Sequence, residues 1–222
     1  MVVSVRQNDI YKKSGSLTVD PGVAATDSYI QFDVNTVNKF RVGVDDTDDS
    51  FRISQGNDLG ANNRFKMSSS GERTMPSQPA FLGVVTSDIL NVTGDGTTYS
   101  IVGTERFDQS GSLALGVFTA PVSGVYRFDA GIGIGGIGVG HDRVYFSIYS
   151  DTVTKQYPFG ICSPATVRDA NGQRMSINAK TIAVMDAADR YWIFINVRTG
   201  VKTVDVFGGA IVETWFSGSL IC

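Results

Sequence analysis

The sequence predicts an all-β protein: an antiparallel jelly-roll sandwich at the C-terminus, preceded by a shorter β-rich segment. Three observations carry that expectation. Glycine supplies 25 of 222 residues while charged residues make up only 18%, below the usual quarter of a globular chain. Apolar residues recur at alternate positions over short runs, the two-residue period of a strand. Helical periodicity is weak throughout. An apolar fraction of 42% is enough to bury a core, so the chain is not disordered overall.

Texture divides the chain into three. Residues 1–27 are polar and rich in turn signals, such as Ser14-Gly15-Ser16 and Asp20-Pro21-Gly22. They read as a flexible terminus or as a segment that orders on another protein. Residues 28–75 alternate: Ile30, Phe32 and Val34 share one face, as do Phe40, Val42 and Val44. Phe51-Arg52-Ile53 and Phe65-Lys66-Met67 continue the pattern, with turn residues between them. Such a meander has no second layer of its own, and two-layer burial is what makes a domain stable. Something else must cover its apolar face, and copies of the same chain are the simplest candidate.

Residues 76–222 carry denser signals. Strands are expected over 81–85, 99–102, 113–118, 125–128, 132–139, 144–149, 175–179, 181–185, 191–197 and 204–216. About ten strands with turns such as Gly94-Asp95-Gly96 and Asn171-Gly172 fit an antiparallel sandwich or jelly roll.

Composition excludes several functions. Nineteen basic against 22 acidic residues leave a net charge of −3, with no basic stripe of the kind nucleic-acid binding needs. No run approaches the roughly 18 apolar residues of a membrane span. The opening Met-Val-Val-Ser-Val-Arg-Gln lacks the layout of a signal peptide. Two cysteines, Cys162 and Cys222, and a single histidine make a structural zinc site untenable. One disulfide between them stays open, although Cys222 is the last residue.

Residues 116–128 form a specific pattern. Gly116, Phe118, Pro121, Gly124, Tyr126 and Phe128 occupy the fixed positions of Gly-x-Phe-Thr-x-Pro-x-x-Gly-x-Tyr-x-Phe. This resembles the signature of the complement-type globular head, a trimeric jelly roll of the tumour-necrosis-factor-like superfamily. Pro79-Ala80-Phe81 resembles that family's opening strand and Phe107-Asp108 its aromatic-Asp pair. Asp189 followed by alternating Tyr191, Ile193 and Ile195 also matches, as does the closing strand with Phe216 and Gly218. The resemblance spans about residues 76–222 and implies a homotrimer. Independently of it, Phe118, Tyr126 and Phe128 should point inward from two strands, with Pro121 and Gly124 turning the corner between them.

The preceding segment resembles a repeat of bacteriophage tail-fibre and other virion-fibre proteins, in which strands are intertwined among three chains. The residues carrying this are Tyr29 to Asn35, Lys39 to Asp46, Ser50 to Ser54 and Leu59-Gly60. Such phage proteins often bear a complement-head-like tip beginning near Pro-Ser-Gln-Pro-Ala-Phe, with Asn-Val-Thr-Gly-Asp-Gly-Thr-x-Tyr soon after. Both occur here, at Pro76 to Phe81 and Asn91 to Tyr99. Animal heads usually follow a collagen stalk, and no Gly-x-y repeat is present.

Candidate chemistries fare poorly. Gly131-Ile-Gly133-Ile-Gly135-Gly136 satisfies Gly-x-Gly-x-x-Gly, but a strand-like run follows it where a dinucleotide loop needs a helix. It reads better as a strand with one crowded side. Asp46-x-Asp48-x-Ser50 is a partial calcium loop without the Gly and Glu that complete one, so a solvated turn is expected and no metal is assigned. His141 lacks a nucleophile elbow and is expected at a surface or interface. Trp192 and Trp215 sit in strand patterns, where core or subunit packing is preferred over sugar stacking.

The expectation is a non-enzymatic phage virion protein without cofactor, a homotrimeric fibre on the particle surface whose tip binds host carbohydrate or protein. Residues 1–27 would attach it to other virion proteins. Receptor contacts are expected on loops at one end of the sandwich, at Asp95 and within 163–174, where Asp169, Asn171 and Arg174 are the candidates. A capsid decoration or head-fibre protein, and less so a surface-polysaccharide hydrolase, are the alternatives.

Overall fold

The computed structural model describes residue 22 and residues 25–151, 156–163 and 174–222, with 156–161 described by backbone alone. The protein is all-β, with no helix among the described residues. The chain divides into two compact units, Met1–Pro76 and Ser77–Cys222.

The N-terminal unit is one antiparallel sheet of five strands in chain order: β1 Ser28–Val34, β2 Val37–Asp45, β3 Ser50–Gln55, β4 Asn63–Met67 and β5 Arg73–Thr74. Its ladder closes within a single chain. Phe32 pairs with Phe40, Ile30 with Val42, Val44 with Phe51, and Ile53 with Phe65. Directly paired residues point to the same face, so these side chains form one apolar face. Arg41, Arg52, Ser54 and Lys66 occupy the other.

The two faces are used in an unexpected way. The turn after β3 folds back over the polar side: Ser54 Oγ donates to Leu59 O at 2.7 Å, and Arg52 Nη1 donates to Gly60 O at 3.2 Å. Leu59, Ser50 and Ser54 are fully buried there. Arg52, 7% exposed, bridges Asp45 and Asp48, each at 2.8 Å. The apolar side is bare instead, with Ile30 45%, Phe32 53%, Phe40 41% and Val44 41% exposed.

The C-terminal unit is a sandwich of two antiparallel sheets. Its strands are β6 Ala80–Val84, β7 Ile89–Thr93, β8 Thr98–Ser100, β9 Thr104–Asp108, β10 Leu113–Ala114, β11 Val117–Thr119 and β12 Gly124–Gly135. They continue with β13 Arg143–Tyr149, β14 Gln156–Cys162, β15 Met175–Met185, β16 Arg190–Arg198, β17 Val204–Val206 and β18 Trp215–Leu220. One sheet runs β10-β11-β16-β13-β14, with β8 also on β16; the other runs β7-β17-β12-β18-β6-β9, with β15 on β12. The chain passes between the sheets as it goes, from β11 to β12, β12 to β13, β14 to β15, β15 to β16 and β16 to β17. That alternation is a jelly roll.

The pattern at residues 116–128 explains its own composition. Phe118, Tyr126 and Phe128 are at most 1% exposed. Phe128 sits among Phe118, Tyr191 and Phe216 at ring distances of 5.7, 5.3 and 5.6 Å. Tyr126 donates its hydroxyl to Val122 O at 2.8 Å, tying the Pro121–Gly124 corner to the strand it starts. Gly116 takes φ +79° at the turn between β10 and β11, and a Cβ there would come within 2.6 Å of Ile101 O, so only glycine fits without strain. Gly218 lets β18 pass flat over the rings of Phe128 and Phe81, 2.6 Å from where a Cβ would stand.

Strand boundaries differ from the expected ones where glycine or polar residues were read as breaks. β12 continues through Asp129–Gly131, and β15 through Lys180, because each is held by the other from Gly124↔Met185 to Ile134↔Met175 without a register shift. The expected strands at 113–118 and 204–216 each split in two. β7, β9 and β14 were not anticipated. Gly131, Gly133 and Gly135 of β12 face away from the core, where Trp215 lies across Gly131 and Glu213 across Gly133, while Ile132 and Ile134 fill the core.

Candidate functional site

Register fixes which loops share an end of the sandwich. β12 ends where β15 begins, β13 begins where β16 ends, and β17 pairs with the last residue of β7. Residues 94–97, 136–142, 199–203 and Arg174 therefore crowd the same end. Asp95 and Arg174, two of the expected receptor contacts, are both there. Asp169 and Asn171 lie outside the described residues.

Both described candidates are engaged locally. Asp95 accepts the Thr97 N–H at 3.0 Å, and its hydrogen bonds from Thr97 hold the carboxyl below the usual range. Gly96 N donates to Val197 O at 2.8 Å, fastening that turn to β16. Arg174 pairs with Glu213 at 2.7 Å and stacks 4.1 Å from the Phe207 ring centroid.

His141, expected at a surface or interface, is instead buried within the C-terminal unit. It is 5% exposed. Its Nδ1 accepts the Gly138 N–H at 2.8 Å, so Nε2 carries the proton and donates to Val201 O at 3.0 Å. Gly94 and Gly200 lie so close to the ring that a Cβ at either would come within 3 Å of it. The imidazole is a pin for three loops.

A second feature borders this end and was missed in the sequence. A cleft of about 350 Å³ opens on the outer face of the β8-β16-β13 sheet. Tyr145, Ser147 and Tyr149 alternate along β13, opposite Asn196, Phe194 and Trp192 on β16. Phe194 and Ser147 are buried and form the floor, while Tyr145, Tyr149 and Trp192 are half-buried walls. The Tyr149 and Trp192 rings meet edge to face at 4.9 Å. Thr98 and Ser100 form the rim on β8. Both parities of Tyr145–Tyr149 and of Trp192–Asn196 are largely apolar, so alternation could not say which residues face outward. Trp192, expected in a core or an interface, lines this open cleft; Trp215 is half-buried against Gly131.

The Asp46-x-Asp48-x-Ser50 segment, expected as a solvated turn, is a turn held by side-chain bonds. Asp48 binds Lys66 at 2.6 Å, Ser50 Oγ at 2.6 Å and Arg52 at 2.8 Å. Hydrogen bonds from Lys66 first, then Ser50, hold its carboxyl well below the usual range. Asp27, Asp45 and Asp46 bring oxygens within 4.8 Å of one another, but Asp45 is already paired with Arg52 and Asp27 accepts the Asp46 N–H. Cys162 and Cys222 are both free thiols. Burial pushes the Cys162 thiol up.

The chain is similar to solved structures that include the following two. The globular domain of zebrafish complement 1qA is 18% identical, with a TM-score of 0.44, covering 65% of this chain and 98% of that one. Mouse APRIL is 7% identical, with a TM-score of 0.46, covering 65% and 99%. No family model matches the chain, and no curated protein does. The jelly-roll assignment rests on the strand order and pairing described above.

Proposed function

We propose that the chain is a non-enzymatic structural protein of a bacteriophage virion, a homotrimeric fibre whose jelly-roll tip binds the host cell surface. The observation that carries the reading is the inverted sheet of the N-terminal unit. Its buried side is ionic and hydrogen-bonded, while Ile30, Phe32, Phe40 and Val44 stand in solvent. A contiguous apolar face of this kind marks an interaction surface. Covering it with two symmetry-related copies removes the exposed rings from water without further parts, and closed rotational symmetry does so for every chain at once. The resemblance of residues 28–75 to virion-fibre repeats, and the paired segments Pro76 to Phe81 and Asn91 to Tyr99, support the phage assignment.

The mechanism is multivalent attachment. Three identical tips on one fibre turn a weak contact into strong adhesion, because each later contact forms at high effective concentration. Loops at the His141 end can vary in sequence while the sandwich behind them stays fixed.

Sedimentation equilibrium of the full chain at micromolar concentration tests the assembly. A mass of three chains is expected, and one of a single chain would overturn the fibre. Imaging of particles carrying a label on this chain tests the location: label at the tail supports host attachment, and label on the capsid lattice establishes the decoration role instead. Release of reducing ends from host polysaccharide, abolished by a carboxylate substitution, would overturn the non-enzymatic reading.

A further inference from the structure

The aromatic cleft on β13 and β16 has no part in packing the sandwich, whose core lies on the opposite side of both strands. Its outward positions nevertheless hold large apolar rings where a solvated face would carry short polar residues. Three properties define what it can take. Tyr145 and Tyr149 lie four residues apart on one strand, about 13 Å, with the small Ser147 between them. That makes a trough with a ring at each end, long enough for two sugar rings in line. The trough floor is the Phe194 ring beside the small Ser147, and its β8 rim carries the hydroxyls of Thr98 and Ser100. This mixture of flat apolar faces and edge hydroxyls suits a pyranose, which has C–H groups on its faces and hydroxyls on its edges.

Charge is distributed unevenly along it. At the Trp192 end, Arg190 lies 5.8 Å from the indole centroid and is paired with Asp151 at 3.2 Å. At the Tyr145 end two guanidiniums hold one ring. Arg198 stands 4.8 Å over it, and Arg143 donates to the Tyr145 hydroxyl at 2.7 Å. Asp142 offsets part of the charge of Arg143. Arg198 makes no ion pair among the described residues. Its Nε is held by Asn196 Oδ1 at 3.2 Å, and Asn196 in turn donates to Gly96 O and Thr98 Oγ1. The side chain that sets the Arg198 position is thus itself fixed by the turn of Asp95.

We infer that this cleft binds a saccharide carrying an acidic group, with a sugar ring against Tyr149 and Trp192 and its anion at Arg198. The inference rests on the surface-attachment reading only in taking the glycan from a cell surface; the binding itself is a property of the cleft. A guanidinium accepts a carboxylate or a phosphate in the same forked geometry, so uronate and phosphate sugars share the required chemistry.

Fluorescence of the full chain, with Trp192 as reporter, tests it against a glucuronate-bearing tetrasaccharide, its carboxyl-reduced neutral counterpart and an oligomer of a sugar phosphate. Saturable change is expected with at least one acidic probe, and which of the two binds more tightly identifies the anion. Tyr149→Ala should weaken that binding tenfold or more. Arg198→Gln, at an exposed position, should weaken the acidic probe about tenfold and leave the neutral one unchanged. No response to either acidic probe at millimolar concentration overturns the site, as does equal affinity for the neutral probe or a Tyr149→Ala variant, melting like the parent, that binds as the parent does. Attachment of the protein to host cells is scored separately. Acidic-sugar binding without cell attachment keeps the cleft and overturns the receptor reading. Cell attachment with no acidic-sugar binding does the reverse.

Discussion

Both ring nitrogens of His141 are engaged with backbone groups of two different loops, and Gly94 and Gly200 leave room for the ring where a Cβ would not. His141→Leu leaves the Gly138 N–H without its acceptor, while the Val201 carbonyl keeps the Thr203 N–H at 2.8 Å; losing the imidazole bridge costs about 1–2 kcal/mol. Urea unfolding of the C-terminal unit should show that loss, and an unchanged midpoint would mean that water replaces the ring. In the N-terminal sheet, the Asp48 carboxyl titrates below its ordinary range because Lys66, Ser50 and Arg52 bind its charged form. A carboxylate with a depressed folded-state pKa stabilises the fold above its unfolded value, near pH 4, and that contribution is lost as the pH falls further. Asp48→Asn should therefore flatten the acid limb of the stability profile below about pH 4 and lower stability at neutral pH. A parallel acid limb in parent and variant would remove Asp48 from the network.

At the scale of the element, β12 and β18 show what sequence can and cannot reveal. The residues of the 116–128 pattern disclosed the core directly, because Phe118, Tyr126 and Phe128 are large, closely spaced and confined to one parity. Gly218→Val tests the same contact from the other side: its side chain would enter the space of Phe128 and Phe81, and overpacking there should cost about 1–3 kcal/mol. Thermal unfolding reads that loss. The glycines of β12 were legible as a crowded strand, but their neighbours Trp215 and Glu213 come from a distant segment and no local pattern names them. The cleft was illegible for a related reason. Tyr145 and Phe146 are equally strand-like, and only the pairing of β13 with β16 decides which of them meets solvent. Asp95 and Arg174 are both exposed, and their bonds to Thr97 and Glu213 depend on neighbours that spacing alone does not reveal.

For the whole molecule, assembly through the bare sheet is open to a direct test. Phe32 and Phe40 pair across β1 and β2 on the exposed side, away from the Arg52 network. Phe32→Lys with Phe40→Lys should leave the single-chain ladder intact and reduce the assembled mass toward one chain by sedimentation. Retention of the trimer mass would assign the contact to another surface. The same outward-facing rings also set conditions on biosynthesis. Among the described residues nothing covers them, and such exposed surface invites clumping. Under the proposed trimer, yield of the assembled form should rise steeply with how many sister chains emerge nearby, so ribosomes clustered on one message would favour maturation and sparse synthesis would favour loss to chaperones and proteases.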